Sequence, residues 1–411
     1  MQRYYFFRTF ATRILHIPTM LKFTTRIRYL LIAMIAAICC TCSSCASHEE
    51  PQVEETDRTL IMYFPWSDDL TSYFRTNISD MKEAIAANGL DGQRVIVAIA
   101  NGPDNVEMYE ITTSNGSCSD VDIKNYTNPD FTVKEWISGM LTDIKTIAPA
   151  KKYSIIIGCH GMGWLPVSST EIQRRLRIKT HMDYSVGNPS TRYFGGYSDS
   201  RYKTEISTLA QAISDAGMKM EYILFDDCYM ATAEVAYELR NATEYIIAST
   251  SEVASAGLPY KTAGGALLGN PDYEAVCKAF HDYYATSFGS LSVIDCSKIE
   301  EFAALMKEAN SQYDFDKSKL GNLQRLDGYS PIIFFDLGSY AENLIPDAEL
   351  RAAIEAKLHE TVIHTTSTSR LYSASYGYFK VDRNSGICIS DPSVNPLAAG
   401  KEETDWYKAT H

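Results

Sequence analysis

The chain has 411 residues, of which 45% are hydrophobic and 22% charged, a composition typical of a globular protein with a sizeable core. This length favours one large domain with a smaller second region. The formal net charge is −13, and because the first 45 residues hold six basic and no acidic side chains, the rest is more acidic still. Such a surface repels nucleic acid, so no nucleic-acid partner is expected.

The first fifty residues predict export. Lys22, Arg26 and Arg28 precede an apolar run at 29–38 that is shorter than a membrane span, and small residues and cysteines follow. This order resembles a bacterial lipoprotein signal, in which one cysteine is lipidated and becomes the mature N-terminus. We therefore predict a signal peptide at 1–45.

Cys45 is the predicted lipidation site, because the acidic stretch behind it, at 46–56, is typical of a surface tether. Cys39 is the competing site, Met20 is an alternative start, and an uncleaved signal anchor is the alternative interpretation of the whole segment. The prediction in each case is an exported protein at the cell envelope. Its expected membrane association is a lipid anchor in the bacterial outer membrane.

The rest of the chain alternates strands with helices. Short apolar runs bounded by turn residues predict buried strands, which lie at 59–65, 94–100, 153–157, 222–225 and 245–249. An alternating run predicts an edge strand, and apolar residues three or four apart predict helices. The predicted edge strand lies at 106–112. The predicted helices lie at 70–88, 136–147, 206–216 and 231–240. The pattern indicates an α/β fold with a mostly parallel sheet covered on both faces.

Ligands bind such sheets just beyond the carboxyl ends of the strands. Cys159 and His160 come directly after the third buried strand, and Cys228 comes shortly after the fourth. If these strands are neighbours, the histidine and the cysteine emerge at the same edge of the sheet. The sequence therefore predicts a functional site there.

A histidine and a cysteine in this arrangement favour nucleophilic attack on a carbonyl group. The imidazole of His160 accepts the thiol proton of Cys228 and then returns it to the leaving amine. The backbone N–H groups of Gly161, Met162 and Cys228 are the candidate donors of an oxyanion hole. Cys228 is also expected to open the helix at 231–240, whose N-terminal dipole would stabilise a thiolate.

The pattern alone leaves structural alternatives open. Cys228 also fits a buried packing position, and the His-Gly pair at 160–161 also fits an ordinary turn. Cys159 is a rival nucleophile. Because it is adjacent to His160, its side chain is expected to point to the opposite face, which favours a packing role.

Longer strings resemble the clostripain-like peptidases, a family of the caspase-like clan. The resemblance extends over most of 57–290 and includes His-Gly-Met-Gly-Trp at 160–164 and Asp-Asp-Cys-Tyr-Met at 226–230. It implies a caspase-like three-layer α/β/α sandwich at 57–290 and a smaller C-terminal region at 291–411. It also implies a cysteine-type endopeptidase with a histidine–cysteine dyad and no required third acidic residue.

The family cleaves after Arg or Lys and holds that side chain with acidic residues of the S1 pocket, so the implied partners are proteins and peptides. Asp226, two residues before the cysteine, matches one of these, and Glu252 is the candidate for the second, although the Pro and Trp that usually follow are missing. A carboxylate bonded to a guanidinium contributes about 1.5–3 kcal/mol. Helix capping is the alternative role for Asp226, and Asp227 stands where the family prefers a small residue.

Some members of the family cut themselves in the loop that follows the histidine. The candidates for autoprocessing in this chain are Arg174, Arg175, Arg177 and Lys179. An ordinary solvated loop is the alternative. The resemblance implies that no cofactor is required, and the sequence assigns no metal ligands. Because calcium supports the activity of some members of the family, calcium dependence stays open.

The competing function is a catalytically inactive surface protein that binds basic peptides or glycans in an acidic cleft. A peptidase specific for acidic residues is disfavoured, because Asp226 would repel an acidic substrate side chain.

Overall fold

A nine-stranded sheet forms the centre of the protein, as seen in a computed structural model that describes residues 53–167 and 200–411. Its strands are β1 (Thr56–Phe64), β2 (Arg94–Gly102), β3 (Asn105–Ser114), β4 (Ser117–Thr127), β5 (Ala150–Ile157), β6 (Met220–Phe225), β7 (Thr243–Ala248), β8 (Ser290–Asp295) and β10 (Val362–Ser367). Two small sheets pair β9 (Phe335–Asp336) with β13 (Cys388–Ile389), and β11 (Arg370–Ser373) with β12 (Gly377–Lys380).

The strand order of the large sheet is β10-β8-β7-β6-β5-β1-β2-β3-β4. The five central strands, from β7 to β2, are parallel, and the two strands at each end are antiparallel to their inner neighbours. Parallel strands require crossover connections, and helices supply them in the described parts of the chain.

The helices with regular α geometry cover both faces of this sheet. They are α1 (Thr71–Asn88), α2 (Lys134–Ile147), α3 (Ile206–Asp215), α4 (Ala233–Leu239), α5 (Tyr260–Ala263), α6 (Tyr273–Tyr284), α7 (Ile299–Gln312), α8 (Leu337–Leu344), α9 (Ala348–Thr361) and α10 (Asp405–Thr410). Apolar side chains of α1 and α6 pack on one face, and those of α2, α3 and α7 pack on the other.

Burial on both faces explains the wholly apolar strand sequences. In β1, Leu60 and Met62 belong to the cluster under α1, whereas Ile61 and Tyr63 belong to the cluster on the opposite face. Successive side chains of a strand point to opposite faces, so a strand with two buried faces needs apolar residues at every position. The predicted caspase-like α/β architecture is thus confirmed.

The edge of the sheet differs from the prediction. The strand expected at the edge, 106–112, is paired on both sides as β3, and the edge strand is β4. The β4 sequence is largely polar and exposed, so it lacks the apolar signal that reveals a buried strand.

The C-terminal region contributes directly to the large sheet through β8 and β10. Residues 53–411 form one compact unit. The predicted signal peptide and most of the tether, up to residue 52, lie outside the described residues. None of the helices in the described ranges has both the length and the apolarity needed to cross a membrane.

Candidate active site

The loop after β5 carries His160 and is tied to both neighbouring strands. The backbone N–H of Gly158 donates to the carbonyl of Tyr63 in β1 at 3.1 Å. The backbone N–H of Cys159 donates to Asp227 Oδ1, beyond β6, at 2.5 Å. Two hydrogen bonds on opposite sides fix the position at which His160 leaves the sheet.

The imidazole of His160 is oriented by an aspartate that follows β1. His160 Nε2 lies 2.9 Å from Asp69 Oδ1, and 6% of the histidine side chain is exposed against 56% of the aspartate. A carboxylate on Nε2 favours the tautomer with its proton there, which leaves Nδ1 as the basic nitrogen. The sequence prediction named no such residue. The structure explains the contact, because β1 and β5 are adjacent parallel strands and the turns that follow them meet at the same edge of the sheet.

Cys228 lies in the turn that follows β6. The strands β5 and β6 are parallel neighbours, with Ile157 paired to Phe225, so the condition that the sequence left open is met. The thiol of Cys228 is fully buried, and Sγ accepts a hydrogen bond from the backbone N–H of Val253 at 3.3 Å. A sulfur that accepts an N–H bond is stabilised as a thiolate.

The histidine loop and the cysteine turn are in direct backbone contact. A Cβ atom added to Gly161 would lie 2.5 Å from the carbonyl oxygen of Cys228 and 3.1 Å from its nitrogen. Real Cβ atoms do not approach so closely, so only glycine permits this approach. Gly163 has φ of +58°, in the left-handed region, and packs in the same way against the carbonyl oxygen of Tyr229.

An apolar cavity of about 120 Å³ opens beside the histidine. Cys159, His160 and Asp227 line it together with aromatic and aliphatic residues such as Phe225 and Ile137. Although Cys159 and His160 both line this cavity, their side chains contact different neighbours, Asp227 for Cys159 and Asp69 for His160. Cys159 Sγ lies 3.4 Å from Asp227 Oδ2, and an ionised carboxylate at that distance opposes a thiolate.

A sequence profile of the clostripain family, peptidase family C11, matches residues 62–377. The chain belongs to the clostripain family. It is accordingly a cysteine peptidase, and the predicted family resemblance is confirmed. No curated protein matches the chain.

Solved structures of other members are similar to this clostripain-family chain. A secreted C11 cysteine protease from Bacteroides thetaiotaomicron, iotapain, is 45% identical with a TM-score of 0.81, and the match covers 87% of this chain and 100% of that one. A clostripain from the same species, in complex with the peptide inhibitor BTN-VLTK-AOMK, is 50% identical with a TM-score of 0.52, covering 52% of this chain and 97% of that one. An inactive zymogen C11 protease from Parabacteroides distasonis is 24% identical with a TM-score of 0.72. The match covers 87% of this chain and 99% of that one, and it supports the fold.

Asp226, the first S1 candidate of this family member, is buried below the cysteine turn. Its Oδ1 accepts from the backbone N–H of Leu258 at 2.9 Å, and its Oδ2 accepts from the hydroxyl of Tyr260 at 3.0 Å. Both bonds go to the segment that leads into α5, so Asp226 joins that segment to the end of β6. Neither bond caps the helix α4.

Glu252, the second S1 candidate, is also fully buried. Its Oε1 accepts from the hydroxyls of Tyr229 at 3.0 Å and Ser373 at 2.7 Å, and both of its oxygens lie 3.0 Å from the backbone nitrogen of Ala374. Glu252 thus joins the cysteine turn to the C-terminal region. Each of the two carboxylates is thus held by hydrogen bonds from other parts of the protein.

The helix after Cys228 begins later than predicted. The helix α4 starts at Ala233, and the Thr232 side chain caps it by accepting from the backbone N–H of Val235 at 3.0 Å. Cys228 therefore does not open this helix, and the expected contribution of the helix dipole to its thiolate is not supported. The signal that the sequence offered was Thr232, a favoured N-cap residue.

Several predicted residues lie outside the described part of the chain. They are Cys45 and the autoprocessing candidates Arg174, Arg175, Arg177 and Lys179. Within the described residues, no group of three or more His, Cys, Asp or Glu side chains is arranged to hold a metal ion.

Proposed function

We propose that this clostripain-family peptidase hydrolyses peptide bonds after Arg or Lys, with Cys228 as the nucleophile and His160 as the general base. The observation that carries the proposal is the contact between Gly161 and the backbone of Cys228, which joins the histidine loop to the cysteine turn. The pairing of His160 with Asp69 supports the role of the histidine, because a base needs a fixed orientation.

The proposed reaction proceeds in two acyl-transfer steps. His160 takes the proton from Cys228, and the sulfur bonds to the carbonyl carbon of the scissile peptide, which places the negative charge on its oxygen. The backbone N–H groups of Gly161 and Cys228 are the proposed donors to that oxygen. The carbon–nitrogen bond then breaks and His160 protonates the amine. Water, deprotonated by His160, hydrolyses the thioester and restores the thiol.

The proposed preference for Arg or Lys depends on Asp226 and Glu252. Both carboxylates are buried beside the cysteine turn, where a cationic side chain would gain more from them than in water. The inhibitor bound by the B. thetaiotaomicron clostripain has the peptide sequence VLTK, which ends in lysine. This relative supports a basic residue at the cleavage position here as well.

The burial of Cys228 implies a latent state. A fully buried thiol meets a substrate only after the neighbouring segment around Val253 moves. Cleavage of the chain at Arg174, Arg175, Arg177 or Lys179 is the proposed trigger, and calcium is a second candidate activator. We also propose export with a lipid anchor at Cys45, which is supported by the signal-like N-terminus and by a relative described as secreted.

Hydrolysis of fluorogenic peptides with Arg, Lys, Asp or Asn at the cleavage position tests this function. Wild type, Cys228→Ala and Cys159→Ala are compared, with and without calcium, and before and after nicking with trypsin. Cleavage after Arg or Lys that is lost in Cys228→Ala and retained in Cys159→Ala supports the proposal. Cleavage only after Asp or Asn overturns the assigned specificity. No cleavage under any condition favours the inactive binding protein.

A further inference from the structure

The apolar cavity beside the histidine lies on the opposite face of the sheet from Asp226. The backbone N–H of Asp226 still donates to Ile157 of β5 at 2.8 Å, so the chain is extended there and its successive side chains point to opposite faces. Phe225 and Asp227 line the cavity. Asp226 is bonded to Tyr260, which belongs to the apolar cluster of the other face. Groups held by Asp226 and by the cavity therefore lie on different sides of the end of β6.

An extended peptide substrate has the same alternation. Its successive side chains point to opposite sides of the backbone, so the residue before the cleaved bond and the residue after it are directed apart. When the basic residue before the bond reaches Asp226, the residue after the bond reaches the face that carries the cavity. His160 and Gly161 both line the cavity, so it begins at the groups proposed to act on that bond.

The lining of the cavity is mostly apolar and comes from separate elements of the fold. Ile137 belongs to α2, Ile206 and Leu209 belong to α3, and Met162 and Leu165 belong to the histidine loop. Ile137 is only 1% exposed and Leu209 only 5%. Because helices packed on the sheet form part of the walls, the cavity is preformed, which lowers the entropic cost of binding.

The volume of the cavity, about 120 Å³, is large for a protein interior. Folded cores leave few voids larger than a water molecule, because the atoms around an unfilled void lose packing contacts. Apolar cavities of about 150 Å³ stay dry and bind a ring the size of benzene. The volume and the apolar lining therefore suit an aliphatic side chain of the size of leucine or isoleucine.

The polar groups of the cavity disfavour a charged occupant. Asp227 and Glu205 line it, and both already accept hydrogen bonds from the protein. Asp227 accepts from the backbone N–H of Cys159 at 2.5 Å, and Glu205 accepts from that of Val167 at 2.8 Å. A charged side chain would lose its hydration in this apolar surrounding, and an acidic one would in addition lie beside two carboxyl groups. A neutral apolar side chain meets neither cost.

We propose that this cavity is the subsite for the substrate residue that follows the cleaved bond, and that it selects an aliphatic side chain such as leucine or isoleucine. The inference rests on the proposed peptidase function and extends it from the residue before the bond to the residue after it. The substrates are then sequences in which a basic residue is followed directly by an aliphatic one. Ile206 and Leu209 are the specificity-determining residues that the following experiment changes.

Cleavage of a set of internally quenched peptides tests the subsite. The peptides share Val-Leu-Thr-Lys, the sequence of the inhibitor bound by the B. thetaiotaomicron clostripain, and are followed by leucine, isoleucine, phenylalanine, alanine or aspartate. The protein is nicked with trypsin, the trypsin is blocked with a serine-protease inhibitor, and Cys228→Ala treated in the same way gives the background. For the leucine and isoleucine peptides, kcat/KM should exceed that of the alanine peptide about 10- to 100-fold, as expected for methylene groups lost from an apolar pocket. The aspartate peptide should be the poorest substrate.

Enlarging the cavity should change this preference. Leu209→Ala should reduce the advantage of leucine over alanine about 10-fold and should shift the preference toward phenylalanine. Ile206→Ala should act in the same direction, and because Ile206 is half-buried, this variant carries less risk to the fold. Ile213→Ala is the matched control, since Ile213 lies on the same helix and is fully buried but is not part of the cavity lining. It should leave the ratio of the peptides unchanged.

A binding measurement separates this inference from the proposed function. The nicked Cys228→Ala protein does not cleave the peptides, and calorimetry should show that the leucine peptide binds about 10-fold more tightly than the alanine peptide. Failure to cleave any peptide contradicts the proposed function, and the inference is then decided by this binding alone.

Two results would overturn the inference. One is equal kcat/KM for the leucine and alanine peptides or, where no peptide is cleaved, equal binding or no binding of the two. The other is a leucine preference that Leu209→Ala and Ile206→Ala change no more than Ile213→Ala does, because another surface then selects the residue. Circular dichroism spectra that match the wild type are required of each variant.

Discussion

Asp69 Oδ1 lies 2.9 Å from Nε2 of His160. The two residues follow β1 and β5, which are adjacent parallel strands, so the geometry of the sheet brings them together. The family resemblance implies a dyad without a required acidic partner, yet this chain supplies one. Asp69 is half-exposed, so water screens its charge, and its contribution is to orient the imidazole rather than to provide a buried charge.

Replacing Asp69 with Asn should lower kcat roughly 10- to 100-fold with little change in KM. The loss should be smaller than the roughly 10⁴-fold effect of a buried triad aspartate, because Asp69 is half-exposed. Steady-state kinetics on an Arg substrate measure both constants. Asp57→Asn is the control, since Asp57 lies at the opposite end of β1 and pairs with Lys151. Equal effects of the two substitutions would remove Asp69 from the mechanism.

Replacing Gly161 with Ala should destabilise the protein by about 1–3 kcal/mol and reduce activity, because the new Cβ would overlap the backbone of Cys228. Gly139→Ala is the matched control. Gly139 lies on the exposed side of α2 with no atom within 4 Å of an added Cβ, so that variant should gain about 0.5–1 kcal/mol. Urea denaturation and peptide hydrolysis give the two readouts. An unchanged Gly161→Ala enzyme would contradict the close approach of the two loops.

Replacing Asp226 with Asn should lower kcat/KM for Arg and Lys substrates about 10- to 100-fold, which corresponds to the loss of one charge-assisted bond. Hydrolysis of a neutral residue such as Gln at the cleavage position should change less. The ratio of the two rates is the measurement, because a purely structural role for Asp226 would lower both rates together. Tyr260→Phe, which removes one donor to Asp226, is the companion variant and should preserve the preference for basic residues.

The buried Glu234 should make stability fall as pH rises. Burial raises its pKa to about 8 in the folded protein from an ordinary value of 4.5. Below pH 4.5 both folded and unfolded states are protonated, so the stability is fully present. Between about pH 4.5 and 8 the unfolded state loses its proton first, and the folded state loses stability by up to about 5 kcal/mol.

Replacing Glu234 with Gln should remove this pH dependence. The variant should gain stability over the wild type at pH 8 and little at pH 4.5, as measured by urea denaturation at both values. The exposed Glu83→Gln serves as the control and should show the same difference from wild type at the two pH values. A Glu234→Gln variant that gains nothing at pH 8 would contradict the raised pKa.

The sequence predicted the centre of the fold because the physical signal there is strong. The residues of β1, β2, β5, β6 and β7 are apolar on both faces, which only a covered parallel sheet requires. The rule that ligands bind beyond the carboxyl ends of such strands then located His160 and Cys228. The edge strand β4 was missed, because an exposed strand carries polar residues and no apolar pattern.

Contacts between distant segments were not predictable from the sequence. The bonds of Asp226 to Leu258 and Tyr260 depend on how the segment before α5 folds back over β6. The bond of Val253 to the thiol of Cys228 depends on the same kind of packing. The start of α4 at residue 233 differs from the prediction for a local reason, because the Thr232 side chain caps the helix there.

Chemical labelling tests the central claim, that Cys228 is the nucleophile, most directly. The protein is incubated with BTN-VLTK-AOMK, the inhibitor bound by the B. thetaiotaomicron clostripain, and peptide mass spectrometry locates the modified residue. The account predicts an adduct on Cys228 that persists in Cys159→Ala and is lost in Cys228→Ala. An adduct on Cys159, or labelling that survives in Cys228→Ala, would contradict it.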